Sequence, residues 1–406
     1  MLTRQGWFVA IGAVALLVAG RLFGLSELFA LGLVAVLLLL GSILLVAVSR
    51  LELEVGRAVH PARVNVGTTT RVELTVRNTR AVRTPVLRLR DPVSGTRGAD
   101  LLVPPLGRDQ RTVAAYRLPT DRRGLVKIGP LDVVVGDPFG LTHLATVAAP
   151  PVEVTIYPHI DPIEPLPYTT GHDPLAGLRQ PNSLGRSGED FYALRPYIVG
   201  DDLRRVHWPS SARHDELLVR QNELPWQGRT TVLLDVRKAA HSGESLELAV
   251  SAAASIVAAT ARRHDLIRLV TTAGADSDFG PGSDHVEAIM EHLAVLPAGQ
   301  GSLRRTVEML GRHSTGGALA IIVSSEASDE DLRAAATLRG RYGSLTIVQI
   351  DRSAWDPNAP EGRPPAGAVL RITRSAPFLT TWNAHAAGAR RGSAAHSAMR
   401  ATGSTR

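Results

Sequence analysis

The chain has 406 residues, enough for two or three domains with cores of their own, and no cysteine, which excludes disulfides, thiolate metal sites and cysteine nucleophiles. Its net charge of +7 is carried almost wholly by arginine, Lys127 and Lys238 being the two lysines. With abundant Ala, Gly and Val alongside, and no basic helix or aromatic stacking platform, this is a compositional bias rather than a nucleic-acid footprint; no nucleic-acid partner is expected.

Gln5 to Gly20 is uncharged and almost wholly apolar, and a second uncharged run covers Leu28 to Ser49. At about 1.5 Å per residue the second run spans roughly 33 Å, enough for a bilayer core of about 30 Å. The first run reaches that length if Arg21 snorkels and the helix continues to Leu25. A cleaved signal peptide would leave a small-residue site and a polar mature sequence, whereas here a second apolar run follows at once. The expectation for 1–50 is therefore a transmembrane helical hairpin turning near Gly24 to Glu27, with the lipid bilayer as its first partner. Arg4 precedes it and Arg50 and Arg57 follow, which places both ends and the soluble domains in the cytoplasm, at the inner or plasma membrane.

From 51 to 158 the period becomes two. Arg71 to Arg77 alternates with Val72, Leu74 and Val76 on one face, and Val86 to Arg90 repeats the pattern. Arg111 to Leu118, Leu125 to Val135 and Val152 to Tyr157 are further strands, separated by turn residues such as Asp91-Pro92 and Asp137-Pro138. No helical pattern intervenes, so an antiparallel β-sandwich of about seven strands, immunoglobulin-like, is expected.

Residues 159–228 begin as a Pro- and Gly-rich linker and become the densest mixture of charges and aromatics in the chain, Gly185 to Arg220. Here Glu189, Asp190, Asp201 and Asp202 interleave with Arg195, Arg204 and Arg213, among Tyr197, Trp208 and Ser211. Arginine forks match carboxylates bidentately, so within these ten signature residues Glu189, Arg195, Asp201, Asp202, Arg204 and Arg213 are expected to form a buried or semi-buried ion network that holds the segment against the open end of the sheet. Over 229–388 strands alternate with helices, which calls for a parallel sheet covered on both faces. Residues 389–406 read as a disordered basic tail.

The run from Gly188 to Arg213, G-E-D-F-x-x-L-R-x-Y-x-x-G-D-D-x-R-R-x-x-W-x-x-S-A-R, resembles domain-of-unknown-function family 58. Arg123-Gly124, Ile128-Gly129-Pro130 and Asp137-Pro138-Phe139-Gly140-Leu141 resemble the region before that run in the family. The resemblance implies a bacterial membrane protein encoded beside a MoxR-type AAA+ ATPase, which becomes the expected partner, with other membrane or envelope proteins. The family carries no settled activity.

The α/β region resembles a von Willebrand factor A domain, in which a metal-ion-dependent adhesion site opens with Asp-x-Ser-x-Ser at the end of the first strand. Here the run is Asp235-Val236-Arg237-Lys238-Ala239, with cations at or beside the serine positions. Ser302 stands at the position of the second loop's threonine, and Ser324-Ser325-Glu326 where the third loop would place an aspartate. One carboxylate beside two cations makes a poor site for a hard divalent ion. The expectation is an Asp235–Arg237 turn that caps the sheet or pairs with the charged segment, without metal or cofactor.

Nucleophilic chemistry from His207, Asp201 or Asp202, and Ser210 or Ser211 finds no Gly-x-Ser-x-Gly elbow. Gly299-Gln300-Gly301-Ser302 lacks the lysine and spacing of a phosphate loop, and Ser302 as a helix N-cap accounts for it. His285, His292 and His313 form no His-Glu-x-x-His pattern. The sequence is thus read as a non-enzymatic, membrane-tethered interaction or scaffold protein, and the family resemblance implies a role in assembly, maturation or cell-envelope processes. The alternative is a metal-dependent adhesion protein using Asp235, Ser302 and Ser325.

Overall fold

The computed structural model describes residues 2–48, 52–61, 63–166, 191–197, 206–214, 216–222, 228–312, 316–360 and 369–388. The chain divides into two compact units near residue 159.

The first unit opens with α1 (Arg4–Phe23) and α2 (Ser26–Val48). Thr3 caps α1, its hydroxyl accepting the Gly6 N–H at 3.0 Å. Gly24 closes the helix at φ 71°, a left-handed position that costs glycine nothing, and the chain turns back within two residues. The helices pack through small residues: a Cβ on Gly20 would lie 2.6 Å from the Phe29 nitrogen, and one on Gly32 2.8 Å from Leu17. Backbones this close pack through dispersion rather than through burial from water, as in membrane helix pairs. The outer surfaces remain apolar, with Trp7, Phe8, Ile11, Leu31, Leu37 and Leu44 exposed.

Ten strands follow: β1 (Leu53–His60), β2 (Val64–Asn65), β3 (Thr70–Asn78), β4 (Leu87–Asp91), β5 (Ala99–Val103), β6 (Arg111–Leu118), β7 (Gly124–Ile128), β8 (Leu131–Gly136), β9 (His143–Ala149) and β10 (Val152–Tyr157). They form three sheets, β1-β3-β6, β2-β10-β7 and β5-β4-β8-β9. Every pairing is antiparallel except the short β2–β10 pair. Inward residues such as Val72, Leu74, Leu87, Leu89, Ile128 and Val133 make one core. Two expectations are revised. The run Leu125 to Val135 is two strands in different sheets, parted at Gly129-Pro130, where proline has no N–H to continue a ladder. The strand count is ten rather than about seven, because β1, β5 and β9 carry charges or small residues that blur the alternation.

In the second unit β11 (Phe191–Pro196) pairs antiparallel with β12 (Leu218–Asn222), and α3 (Trp208–His214) lies between them in sequence. Then come β13 (Arg229–Leu234), α4 (Gly243–Ala261), β14 (Leu266–Thr271), α5 (Gly282–Val295), α6 (Leu303–Arg312), β15 (Ala318–Ser324), α7 (Asp329–Thr337), β16 (Ser344–Ile350), β17 (Val369–Ile372) and α8 (378–388). The sheet is wholly parallel, in the order β14-β13-β15-β16-β17. Leu303, Val307 and Leu310 of α6 and Leu332 and Ala335 of α7 pack on Leu233, Leu319, Ile321 and Ile347 of one face. The Ala-rich α4 contributes nothing to that cluster and crosses β13 to β16, covering the opposite face.

Residues 160–166, expected as free linker, are instead a strap docked on this unit. Ile163 and Leu166 are buried. Arg262 Nη2 donates to the Ile163 carbonyl at 2.7 Å, Trp382 Nε1 to the Glu164 carbonyl at 2.7 Å, and Arg263 to the Leu166 carbonyl. The basic tail beyond 388 lies outside the described residues.

Candidate functional site at the carboxyl edge of the parallel sheet

In open α/β sheets ligands bind beyond the carboxyl ends of the strands, and Asp235 stands there, directly after β13, fully buried. Its carboxylate is already engaged. Arg237 Nε donates to Oδ1 at 2.9 Å and Nη2 to Oδ2 at 2.8 Å, a fork-on-carboxylate pair. The Arg237 N–H adds a bond to Oδ1 at 3.1 Å, and the Thr272 hydroxyl donates to the same oxygen at 3.1 Å. Thr272 in turn accepts the Val236 N–H at 2.9 Å. Hydrogen bonding to Asp235 holds the Arg237 guanidinium above its usual range despite partial burial. This is the Asp235–Arg237 cap expected from the sequence. Thr272, which joins it from the end of the neighbouring strand, was not anticipated, because no local pattern marks a residue that β13–β14 register brings alongside.

The other two degenerate metal-site positions serve elsewhere. The Ser302 hydroxyl accepts the Arg305 N–H at 3.3 Å, the N-cap geometry expected for it at the start of α6. The Ser325 hydroxyl accepts the Arg352 N–H at 3.0 Å, fixing the β15 end to the β16 end. Neither hydroxyl bonds to Asp235, and among the described residues no three histidine or acidic side chains gather as a metal cage.

The same construction recurs two strands away. Asp351, after β16, accepts Ser353 Oγ at 2.8 Å on Oδ1 and Arg371 Nη2 at 2.5 Å on Oδ2. Arg352 bridges the edge, donating to the Ala239 carbonyl at 3.1 Å and to Asp356. Behind Asp235, His241 is buried with Nδ1 3.2 Å from Ser245 Oγ. Burial pushes its pKa below the usual range; the Asp235 charge opposes that, and Arg237 and Arg352 reinforce it. Beside the Thr272 end of this edge lies a cleft of about 910 Å³, lined by Thr272, Gly301, Ser302, Arg304, Arg305 and Thr306. The edge is charge-compensated, and both oxygens of the Asp235 carboxylate are engaged by Arg237 and Thr272.

Of the ten signature residues, Glu189, Asp190, Asp201, Asp202 and Arg204 lie outside the described residues, and with them four of the six expected in the ion network. Arg195 is on β11, and Tyr197 follows it, its N–H donating to the Leu217 carbonyl at 2.7 Å. Ser211 is buried as a local brace, accepting the Leu218 N–H at 2.9 Å and donating to the His207 carbonyl at 3.1 Å. Trp208 and Arg213 are both exposed, Trp208 by 64 %, so the tryptophan does not pack as an anchor for the segment. His207 pairs with Ser210, Nδ1 to Oγ at 2.8 Å. A second charged assembly escaped the sequence reading: in the β-sheet unit Arg57 donates to Asp91 at 2.6 Å, and Tyr116 OH donates to the other Asp91 oxygen at 2.7 Å, both members of the ion pair being buried.

The architecture defines a mixed α/β protein with antiparallel sheets, one parallel sheet and two long apolar amino-terminal helices. Residues 193–356, which include β12 to β16 and most of β11, match the family described as "Protein of unknown function DUF58", as the run ending at Arg213 indicated. No curated protein matches the chain. Among solved structures it is similar to the CARDB domain of a Pyrococcus furiosus protein in complex with di-metal ions, at 19 % identity and TM-score 0.22, covering 27 % of this chain and 94 % of that one. It is also similar to manganese-loaded TRAP protein of Plasmodium vivax, at 12 % identity and TM-score 0.28, covering 40 % and 71 %.

Proposed function

We propose that this chain is a membrane-tethered, non-enzymatic interaction protein: a transmembrane hairpin carrying an immunoglobulin-like β-sandwich and a von Willebrand A-like α/β domain on the cytoplasmic side. The observation that carries the reading is the occupied carboxylate of Asp235. A metal-dependent adhesion site needs that group free for a hard cation with hydroxyl ligands around it. Here Arg237 and Thr272 hold both of its oxygens, and Ser302 and Ser325 support local turns. An edge neutralised in this way recognises a partner by shape and hydrogen bonding rather than through a bridging metal. The partner we propose is the MoxR-type AAA+ ATPase implied by the family resemblance, in assembly, maturation or envelope processes.

The test is affinity capture from native membranes with the intact chain and with a chain ending at Pro158. The expected result is an AAA+ ATPase recovered with the intact chain and lost with the shortened one. Capture of no ATPase by the intact chain, or saturable Mg²⁺ or Mn²⁺ binding that disappears in Asp235→Ala, defeats the proposal.

A further inference from the structure

The loop between β8 and β9, Asp137 to Thr142, is built onto both chain ends of the hairpin. The Thr3 N–H donates to the Leu141 carbonyl at 2.8 Å and the Thr3 hydroxyl to the Gly140 carbonyl at 2.6 Å. From α2, Ser42 Oγ donates to Asp137 Oδ1 at 3.4 Å, and the Thr142 hydroxyl, which shares its one hydrogen between the Ser42 carbonyl and Asp137, lies 3.2 Å from that carbonyl. Gly6 makes the approach possible: a Cβ there would sit 2.1 Å from the Leu141 oxygen. The loop is also internally fixed. Asp137, 7 % exposed, accepts the Phe139 N–H at 2.8 Å, the Thr142 hydroxyl at 2.9 Å and the Thr142 N–H, and Gly140 turns at φ 69°.

On this rigid loop the Phe139 side chain is 63 % exposed, although a well-braced turn could have folded it inward. Residues 138–142, Pro-Phe-Gly-Leu-Thr, carry no charge. Trp7 and Phe8, one turn into α1 from Thr3, are likewise exposed. The lengths agree with its position. Gly6 to Phe23 and Ser26 to Ser42 each cover about 25–27 Å of helix, close to the roughly 30 Å of a bilayer's hydrocarbon. The loop therefore meets the helices near the level where the hydrocarbon ends, with Ile43 to Val48 of α2 running on past it.

We infer that Phe139 is a third membrane contact, its ring seated at the headgroup–acyl boundary of the leaflet from which the hairpin enters. The lipid is favoured over a protein occupant because the ring stands exposed on a loop hydrogen-bonded to the base of two helices whose outer surface is apolar, Trp7 and Phe8 included, and aromatic side chains at that depth are stabilised by partial burial in the interface. The contact would fix the β-sheet unit against the bilayer instead of leaving it on a swinging tether. It rests on the membrane-anchoring reading of α1 and α2.

The chain contains no cysteine, so single nitroxide labels can be placed without background. Full-length Phe139→Cys, Leu37→Cys in α2 and Arg71→Cys, paired with His60 at the end of β1 remote from α2, would be labelled and reconstituted in vesicles of phosphatidylcholine and phosphatidylglycerol. Collision rates with oxygen and with a water-soluble nickel chelate report depth. The expected result is a lipid-favouring ratio at 139, between a deep value at 37 and an aqueous value at 71. An aqueous value at 139 with a lipid value at 37 overturns the inference while leaving the anchor intact; aqueous values at both overturn the anchor itself. A label at 139 shielded from both reagents means that protein covers it, and also overturns the inference.

Discussion

An aspartate at the end of the first strand of a parallel sheet is useful to a ligand only while its oxygens are free. At Asp235 two side chains decide the matter, the Arg237 fork and the Thr272 hydroxyl. Removing the guanidinium strands a buried carboxylate, so Arg237→Ala should destabilise the protein by about 3 kcal/mol, the low end for a broken buried pair, since the Arg237 side chain keeps 22 % of its exposure. Arg237→Lys should recover part of that loss, because a point charge cannot satisfy both oxygens as a fork does. Asp235→Ala with Arg237→Ala should cost less than Arg237→Ala alone, a coupling measurable by denaturant unfolding of the full chain in detergent. The pair was legible because both partners lie in one short run. Arg57 and Asp91 were not. Arg57 falls on the inward face of β1 with Val55 and Val59, and Asp91 sits beside Pro92 where it reads as a turn residue; only strand pairing shows that they meet inside the sandwich.

The segment from β13 to α4 shows how an element is held by the charges around it. Ser242 and Ser245 form a reciprocal capping box at the start of α4, and His241 lies buried immediately before it. Burial holds the pKa of this histidine below its usual range, with the facing charges of Arg237 and Arg352 adding to the effect and Asp235 opposing it. The unfolded chain takes up the proton near pH 6.5 and the folded chain only at lower pH, so stability is full above about pH 6.5 and falls as pH drops below that value. His241→Gln should flatten the slope of unfolding free energy against pH between 7 and 5 relative to the parent; an unchanged slope would show that His241 does not titrate differently in the two states. Elements with regular periods were legible to within a few residues: the two apolar helices, β3 and β6 all fall where alternation or helical spacing placed them. The short strands were not. Their register depends on partners distant in sequence, and the three-sheet arrangement follows from pairings such as β4 with β8 that no local pattern encodes.

Across the whole molecule, apolarity sorts helices by destination. Among the described residues three helices are long and apolar enough to cross a membrane, but two-thirds of the most apolar window of α4 is buried inside the α/β unit, against about a fifth for α1 and α2. The outward Leu37 of α2 is therefore a test of the anchor. Leu37→Arg places a charge near the centre of the span at a cost of about 2.5–3.5 kcal/mol of insertion free energy, and should move a substantial fraction of the protein from the carbonate-resistant membrane pellet to the supernatant. Retention of the variant at the parent level would argue against a spanning α2. Composition alone made the hairpin legible, whereas distinguishing α4 required the sheet that covers it.

The strap at 160–166 has a mechanical consequence. It enters the α/β unit from the amino-terminal side and is gripped by Arg262 and Arg263 at the end of α4 and by Trp382 of α8, near the last described turn of the chain. Tension arriving along the backbone from the residues before 160 would first shear this set of side-chain clamps. The parallel ladder would feel that load only after they had yielded.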